Sequence, residues 1–147
     1  MRSEPYHRGV DDIIDRLRAA APAILRDEPV RVAYLFGSHA RGQANAHSDV
    51  DVAVLAPDVR PSDRLDLRLR LMSRLSRIVE AEADVIVLDE SPLTLSGRVI
   101  RDGHVVYSRD DDLRADYESR IFRQYADFSR DEDEHARLAL RVMAEGR

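Results

Sequence analysis

Hydrophobic residues recur along this chain at two alternating periods, and the switches between them predict an α/β domain. From Val10 to Leu25, the residues Val10, Ile13, Ile14, Leu17, Ala21, Ile24 and Leu25 return at helical spacing. Pro22 is expected to kink or divide that helix near its end. Val30 to Phe36 (VRVAYLF) is short, apolar and rich in β-branched and aromatic residues, a buried strand closed by Gly37 and Ser38. After a polar loop through Ser48, Asp49 to Leu55 (DVDVAVL) alternates acid or small residue with valine at the period of a strand. Ser62 is placed to cap a second helix running to Glu80, with Leu65, Leu69, Met72, Leu75 and Val79 on its inner stripe. Ala83 to Leu88 reads as a third strand, Ser91 to Asp102 as a short helix stopped at Gly103, and His104 to Ser108 as an edge strand. From Asp112 a helical stripe of Leu113, Tyr117, Ile121, Tyr125 and Phe128 begins, and Leu138, Val142 and Met143 extend the helical pattern toward the end.

This order implies an α/β fold, a mixed sheet of about four strands flanked by helices, in a single domain spanning residues 1–147 with a helical C-terminal segment from about residue 112. A helix joins the second strand to the third, so a right-handed crossover should leave those two strands parallel.

Composition narrows the chemistry. With 44% hydrophobic and 35% charged residues the chain reads as globular with a heavily solvated surface. The net charge of -5 gives no positive excess for a phosphate backbone, so direct nucleic-acid binding is not expected. All 23 basic residues are arginine, which excludes a lysine-dependent Walker A site or Schiff base. With no cysteine, disulfides, thiolate metal sites and a cysteine nucleophile are excluded as well. Met1 to Asp12 lacks the apolar core of a signal peptide and no window is apolar enough to span a membrane, so a cytoplasmic location with no membrane partner is expected.

The candidate chemistry lies in Leu35 to Leu55 (LFGSHARGQANAHSDVDVAVL). Asp49 and Asp51, one residue apart on a strand, project on one face, roughly 6.5–7 Å apart along the backbone. Two ionised carboxylates that close repel unless a cation sits between them, and a hard divalent ion such as Mg²⁺ suits the position. If the strands bearing Asp49 and Asp84 are parallel neighbours, Asp84 joins the pair at the same sheet edge, sharing its face with Ile86 and Leu88. Three acids there suit one or two metal ions positioning a triphosphate and a hydroxyl nucleophile for in-line attack. Gly37 after a buried strand lets backbone N–H groups approach a phosphate, Ser38 offers a hydroxyl, and the planar fork of Arg41 reaches phosphate oxygens. Taken singly, a Gly-Ser turn or an aspartate at a strand start is unremarkable; the ordered combination is what points to catalysis.

Gly37-Ser38, ten residues, then Asp49-Val50-Asp51 resembles the signature of the DNA polymerase β-like nucleotidyltransferase superfamily. The fuller string Gly37-Ser38-His39-Ala40-Arg41-Gly42 with Ser48-Asp49-Val50-Asp51 is similar to the minimal nucleotidyltransferases (MNT), antitoxins of HEPN/MNT toxin–antitoxin modules. The resemblance covers essentially the whole chain. It implies a polymerase β-like palm, ATP as substrate, Gly37 and Ser38 on the triphosphate, and Asp49, Asp51 and Asp84 on metal. It further implies AMP transfer to a tyrosine of a partner HEPN toxin in a hetero-oligomer. Two alternatives stay open: an antitoxin acting by occlusion alone, and a small-molecule nucleotidyltransferase of the aminoglycoside type. A second domain of the kind that shapes a small-substrate pocket in larger relatives is not expected here, which counts against the latter.

Other residues are read more plainly. His39 and His47 flank the motif without being expected as metal ligands, and Tyr34 is expected in the core. Asp110 to Asp112 make an acidic start for the following helix. Tyr117, Tyr125 and Phe128 suit either the core or a partner-binding stripe.

Overall fold

The computed structural model describes residues 6–45 and 47–145, with side chains from Asp12 onward. Its helices are α1 (Tyr6–Leu25), α2 (Gly37–Ala40), α3 (Arg64–Val79), α4 (Leu93–Asp102) and α5 (Asp111–Glu145). Its strands are β1 (Val32–Phe36), β2 (Val50–Leu55), β3 (Ala83–Val87) and β4 (His104–Ser108), in the sheet order β3-β2-β1-β4. β1 runs antiparallel to both β2 and β4, whereas β2 and β3 are parallel, as a helical crossover requires. The sheet is therefore mixed and four-stranded with β4 on an edge, as the sequence predicts.

Strand alternation divides the core in two. Ala33, Leu35, Val50, Val52, Val54, Ala83, Val85 and Val87 face α1 and α3, meeting Leu17, Ala21, Leu67 and Leu71. The intervening positions, Val32, Tyr34, Ala53 and Leu55, face α4 and α5, where Val99, Tyr117 and Ile121 cover them. The two central strands, β1 and β2, thus bury both faces, and their near-continuous apolar runs in the sequence are the signature of that burial; β3 and β4, at the two edges, bury one face more than the other.

Several expectations need correction. Val10 lies outside the residues whose side chains are described. Pro22 does not divide α1; the helix continues to Leu25 and the next turn closes through the Arg26 N–H on the Pro22 carbonyl at 3.1 Å. Ser62 is not a cap, because Pro61–Asp63 form a separate 3₁₀ turn and α3 starts at Arg64 without a side-chain cap. The inner stripe of α3 is Leu67, Leu71, Leu75 and Val79; the expected Leu65 and Leu69 are 60% and 55% exposed. Leucine at every second position offers two stripes about 200° apart around the helix, and only one can face the sheet. Polar anchors decide which. Arg68 Nε donates to the Val85 carbonyl at 2.7 Å, and Arg70 donates to both oxygens of the buried Glu28 at 2.8 and 3.2 Å.

The C-terminal pattern resolves into one helix, α5, of 35 residues. Tyr117 and Ile121 are core, Tyr125 is half-buried, and Phe128 is exposed. Asp110 opens the helix, its carboxylate accepting the Leu113 N–H at 3.1 Å. No helix among the described residues is long and apolar enough to cross a membrane.

Candidate active site

The site grows out of a single row across the sheet. Phe36, the last residue of β1, pairs with Asp51, and Asp51 pairs in parallel register with Asp84. Neighbouring strands lie about 4.8 Å apart, so the Asp51 and Asp84 carboxylates stand side by side on one face. That face is the one bearing Ala53 and Tyr34, not the one packed on α1 and α3. Asp84 shares it with Ile86, as its strand alternation predicts. Asp49 lies one residue ahead of β2 and is exposed.

Electrostatics bind the three acids into one unit. Asp51 holds its proton above the ordinary carboxylate range, first because it is partly buried, then because the Asp84 and Asp49 charges oppose ionisation. His39 and Arg41 pull weakly the other way. Among the described residues no three His, Cys, Asp or Glu side chains are converged into a ready-made metal site. The donors nevertheless fit a hard divalent cation in kind: all are carboxylates, and Asp51, partly buried, carries like-charge strain that a cation would relieve.

Gly37 completes the other side. Its φ of +76° lies in the left-handed region, and a Cβ there would overlap the Asp51 carboxylate. Glycine is required twice over, by backbone conformation and by the approach of Asp51. Gly37 and Ser38 open α2, and the Ser38 carbonyl accepts the Gln43 N–H at 2.8 Å, which bends the chain back toward β2. Arg41 is exposed, its Nε 3.3 Å from Gln43 Oε1. The structure thus gathers Gly37, Asp49, Asp51, Asp84 and the charge of Arg41 at one sheet edge. Asp89 sits at the opposite end of β3 and accepts the Ala56 N–H at 2.7 Å.

Sequence reasoning passed over two histidines that hold this edge together. His39 Nε2 lies 3.3 Å from the Ser48 carbonyl, tying α2 to the residue before Asp49. His104 Nε2 lies 3.2 Å from the Ala40 carbonyl, tying the other end of α2 to β4. Nothing in residue spacing announces such side-chain-to-carbonyl ties. Ser48 closes the loop, its hydroxyl accepting the Asn45 N–H at 2.9 Å.

Fold and motif agree with a wider comparison. Residues 21–112 match the family model for polymerase beta nucleotidyltransferases, and the chain belongs to that family. Within it, the chain is 32% identical over 98 residues to the protein adenylyltransferase MntA of Shewanella oneidensis, an alignment spanning 63% of this chain and 67% of the relative. Among solved structures, it resembles a chain of a toxin–antitoxin crystal structure with AMP-PNP, at TM-score 0.65 and 22% identity over 84% of this chain and 98% of the other. It also resembles a chain of the complex between a tri-AMPylated Shewanella oneidensis HEPN toxin and its MNT antitoxin. That likeness has a TM-score of 0.62 and 19% identity over 86% and 98% of the two chains. At these identities the structural likenesses establish the fold, the polymerase β-like palm expected from the motif.

Proposed function

We propose that this protein transfers AMP from ATP to a tyrosine hydroxyl of a HEPN-type toxin and thereby neutralises it. The observation that carries the reading is the Asp51–Asp84 register pair, with Asp49 beside it and Gly37 held against Asp51. A carboxylate trio beside a glycine-serine turn suits a metal-bound triphosphate, and the adenylyltransferase relative supplies the group transferred. The toxin complexes among its structural relatives suggest the acceptor and a hetero-oligomeric assembly.

In this reading Gly37, Ser38 and Arg41 hold the triphosphate. Asp49, Asp51 and Asp84 hold one or two Mg²⁺ ions, which when bound offset phosphate charge and polarise the α-phosphorus. The acceptor oxygen attacks that phosphorus, the bond to the β-phosphate oxygen breaks, and pyrophosphate leaves with the electron pair. Asp84, on the strand farther from Gly37, helps take the hydroxyl proton. The balance is ATP plus hydroxyl giving AMP ester plus pyrophosphate.

The test is incubation with labelled ATP, Mg²⁺ and the protein encoded by the neighbouring gene. Label on that partner, with mass increments of whole AMP units and none from the Asp49→Asn, Asp51→Asn double variant, supports the proposal. Label on tRNA or an aminoglycoside with the partner unmodified overturns it. Full neutralisation by the double variant would favour occlusion.

A further inference from the structure

The sheet places two of the three acids and leaves the third to a side chain. Asp51 and Asp84 are neighbours in the β2–β3 register, so strand pairing alone sets them side by side. Asp49 precedes β2 and is exposed, and the ladder begins one residue later, with the Val50 N–H on the Glu82 carbonyl at 2.8 Å. The sheet therefore anchors Asp49 on its C-terminal side only. On the other side runs the loop that ends at Ser48, and its last turn is bonded to itself. The Asn45 N–H donates to the Ser48 hydroxyl at 2.9 Å, the Ser48 N–H to the Asn45 carbonyl at 3.1 Å, and the His47 N–H to the Asn45 side chain at 2.8 Å. Those bonds fix the turn internally but not against the rest of the protein.

His39 supplies the outer hold. Its half-buried imidazole brings Nε2 to 3.3 Å from the Ser48 carbonyl, and because a carbonyl only accepts, the proton sits on Nε2. That carbonyl belongs to the planar peptide joining Ser48 to Asp49, so the bond orients the unit from which Asp49 springs. His39 itself rides on α2, which is fixed at both ends. Gly37 lies against the Asp51 carboxylate, and the carbonyl of buried Ala40 lies 3.2 Å from His104 Nε2 on β4. One imidazole thus spans from the turn bearing Gly37 and Ser38 to the peptide that delivers Asp49.

We propose that His39 is a positioning residue that sets Asp49 relative to Asp51 and to the Gly37–Ser38 turn, so that a divalent cation and a triphosphate meet in one geometry. The proposal rests on the reading of Asp49 as a metal ligand and adds to it the residue that puts this ligand in place. Groups that orient a metal ligand without touching the metal are commonly worth about 10–100-fold in metal affinity.

Isothermal titration with ATP in saturating Mg²⁺ tests it, beside thermal melts of each protein free of metal and nucleotide. His39→Ala should weaken ATP about tenfold, while His39→Gln, whose amide N–H can stand where Nε2 stands, should stay within about threefold of wild type. Asp49→Asn should weaken ATP as well. Adding His39→Ala to it should cost less than about twofold more, because the acid through which His39 acts has already gone. A histidine that merely braced α2 would cost the same factor in both backgrounds, and that result overturns the proposal. So does wild-type affinity in His39→Ala, or a His39→Gln protein that melts like wild type yet binds ATP as weakly as His39→Ala. Wild-type ATP affinity in Asp49→Asn is a different failure: it removes Asp49 from the metal ligands, and with it the reading on which the proposal rests.

Discussion

Gly37→Ala is the sharpest probe of how the site is built. Two separable penalties meet at this residue. The first is conformational: a φ of +76° costs a residue with a Cβ roughly 1–2 kcal/mol. The second is steric, because the new methyl overlaps the Asp51 carboxylate, and overpacking of this kind costs about 1–3 kcal/mol. The single variant should therefore lose about 2–5 kcal/mol in urea unfolding. Asp51→Ala removes the obstructing carboxylate, so in that background Gly37→Ala should cost only the conformational share. The four proteins of the double-mutant cycle should show a coupling of about 1–3 kcal/mol between the two positions. Gly42→Ala, also at positive φ (69°), shows what the conformational share amounts to without Asp51 in the way. Additive costs for Gly37→Ala and Asp51→Ala, within about 0.5 kcal/mol, would refute the claim that Gly37 is small in order to admit Asp51.

Asp51 should also make metal-free stability depend on pH. Its folded-state pKa is raised, so the native protein holds that proton to higher pH than the unfolded chain, and stability falls as pH climbs through the region above the ordinary carboxylate value. Asp51→Asn should remove that fall, exceeding wild type at neutral pH and converging with it in acid, as thermal melts in EDTA would reveal. Mg²⁺ at 100 times its Kd should stabilise wild type by about 2.7 kcal/mol and the Asp49→Asn, Asp51→Asn protein hardly at all; equal metal responses would remove these acids from the ligand set. On α3, Leu71→Ala should cost about 2–5 kcal/mol and Leu69→Ala less than about 0.5, since the first is fully buried and the second 55% exposed; the reverse order in urea titrations would mean the helix is rotated. Asp110→Ala should cost about 1 kcal/mol by removing the acceptor at the start of α5; an unchanged urea midpoint would refute the cap.

Much of this protein is legible in one dimension because its signals are local. A strand buried on both faces must be apolar throughout, so VRVAYLF discloses itself, and the period-two acids of DVDVAVL can be placed on one face without any tertiary knowledge. The parallel pairing of β2 and β3 follows from the helix between them, and that alone brings Asp84 to Asp51. What the chain could not disclose is rotation and long-range polar contact. Leu65-Leu67-Leu69-Leu71 offers two equally apolar stripes, and the choice is made by Arg68 on the Val85 carbonyl and Arg70 on Glu28, partners 17 and 42 residues away. The ties of His39 and His104 to backbone carbonyls have no periodicity to betray them. Likewise, the requirement for glycine at position 37 comes from a carboxylate on the neighbouring strand, a contact that exists only once β1 and β2 have paired. Local chemistry named the candidate residues; pairing of the strands is what brings Asp84 beside Asp51.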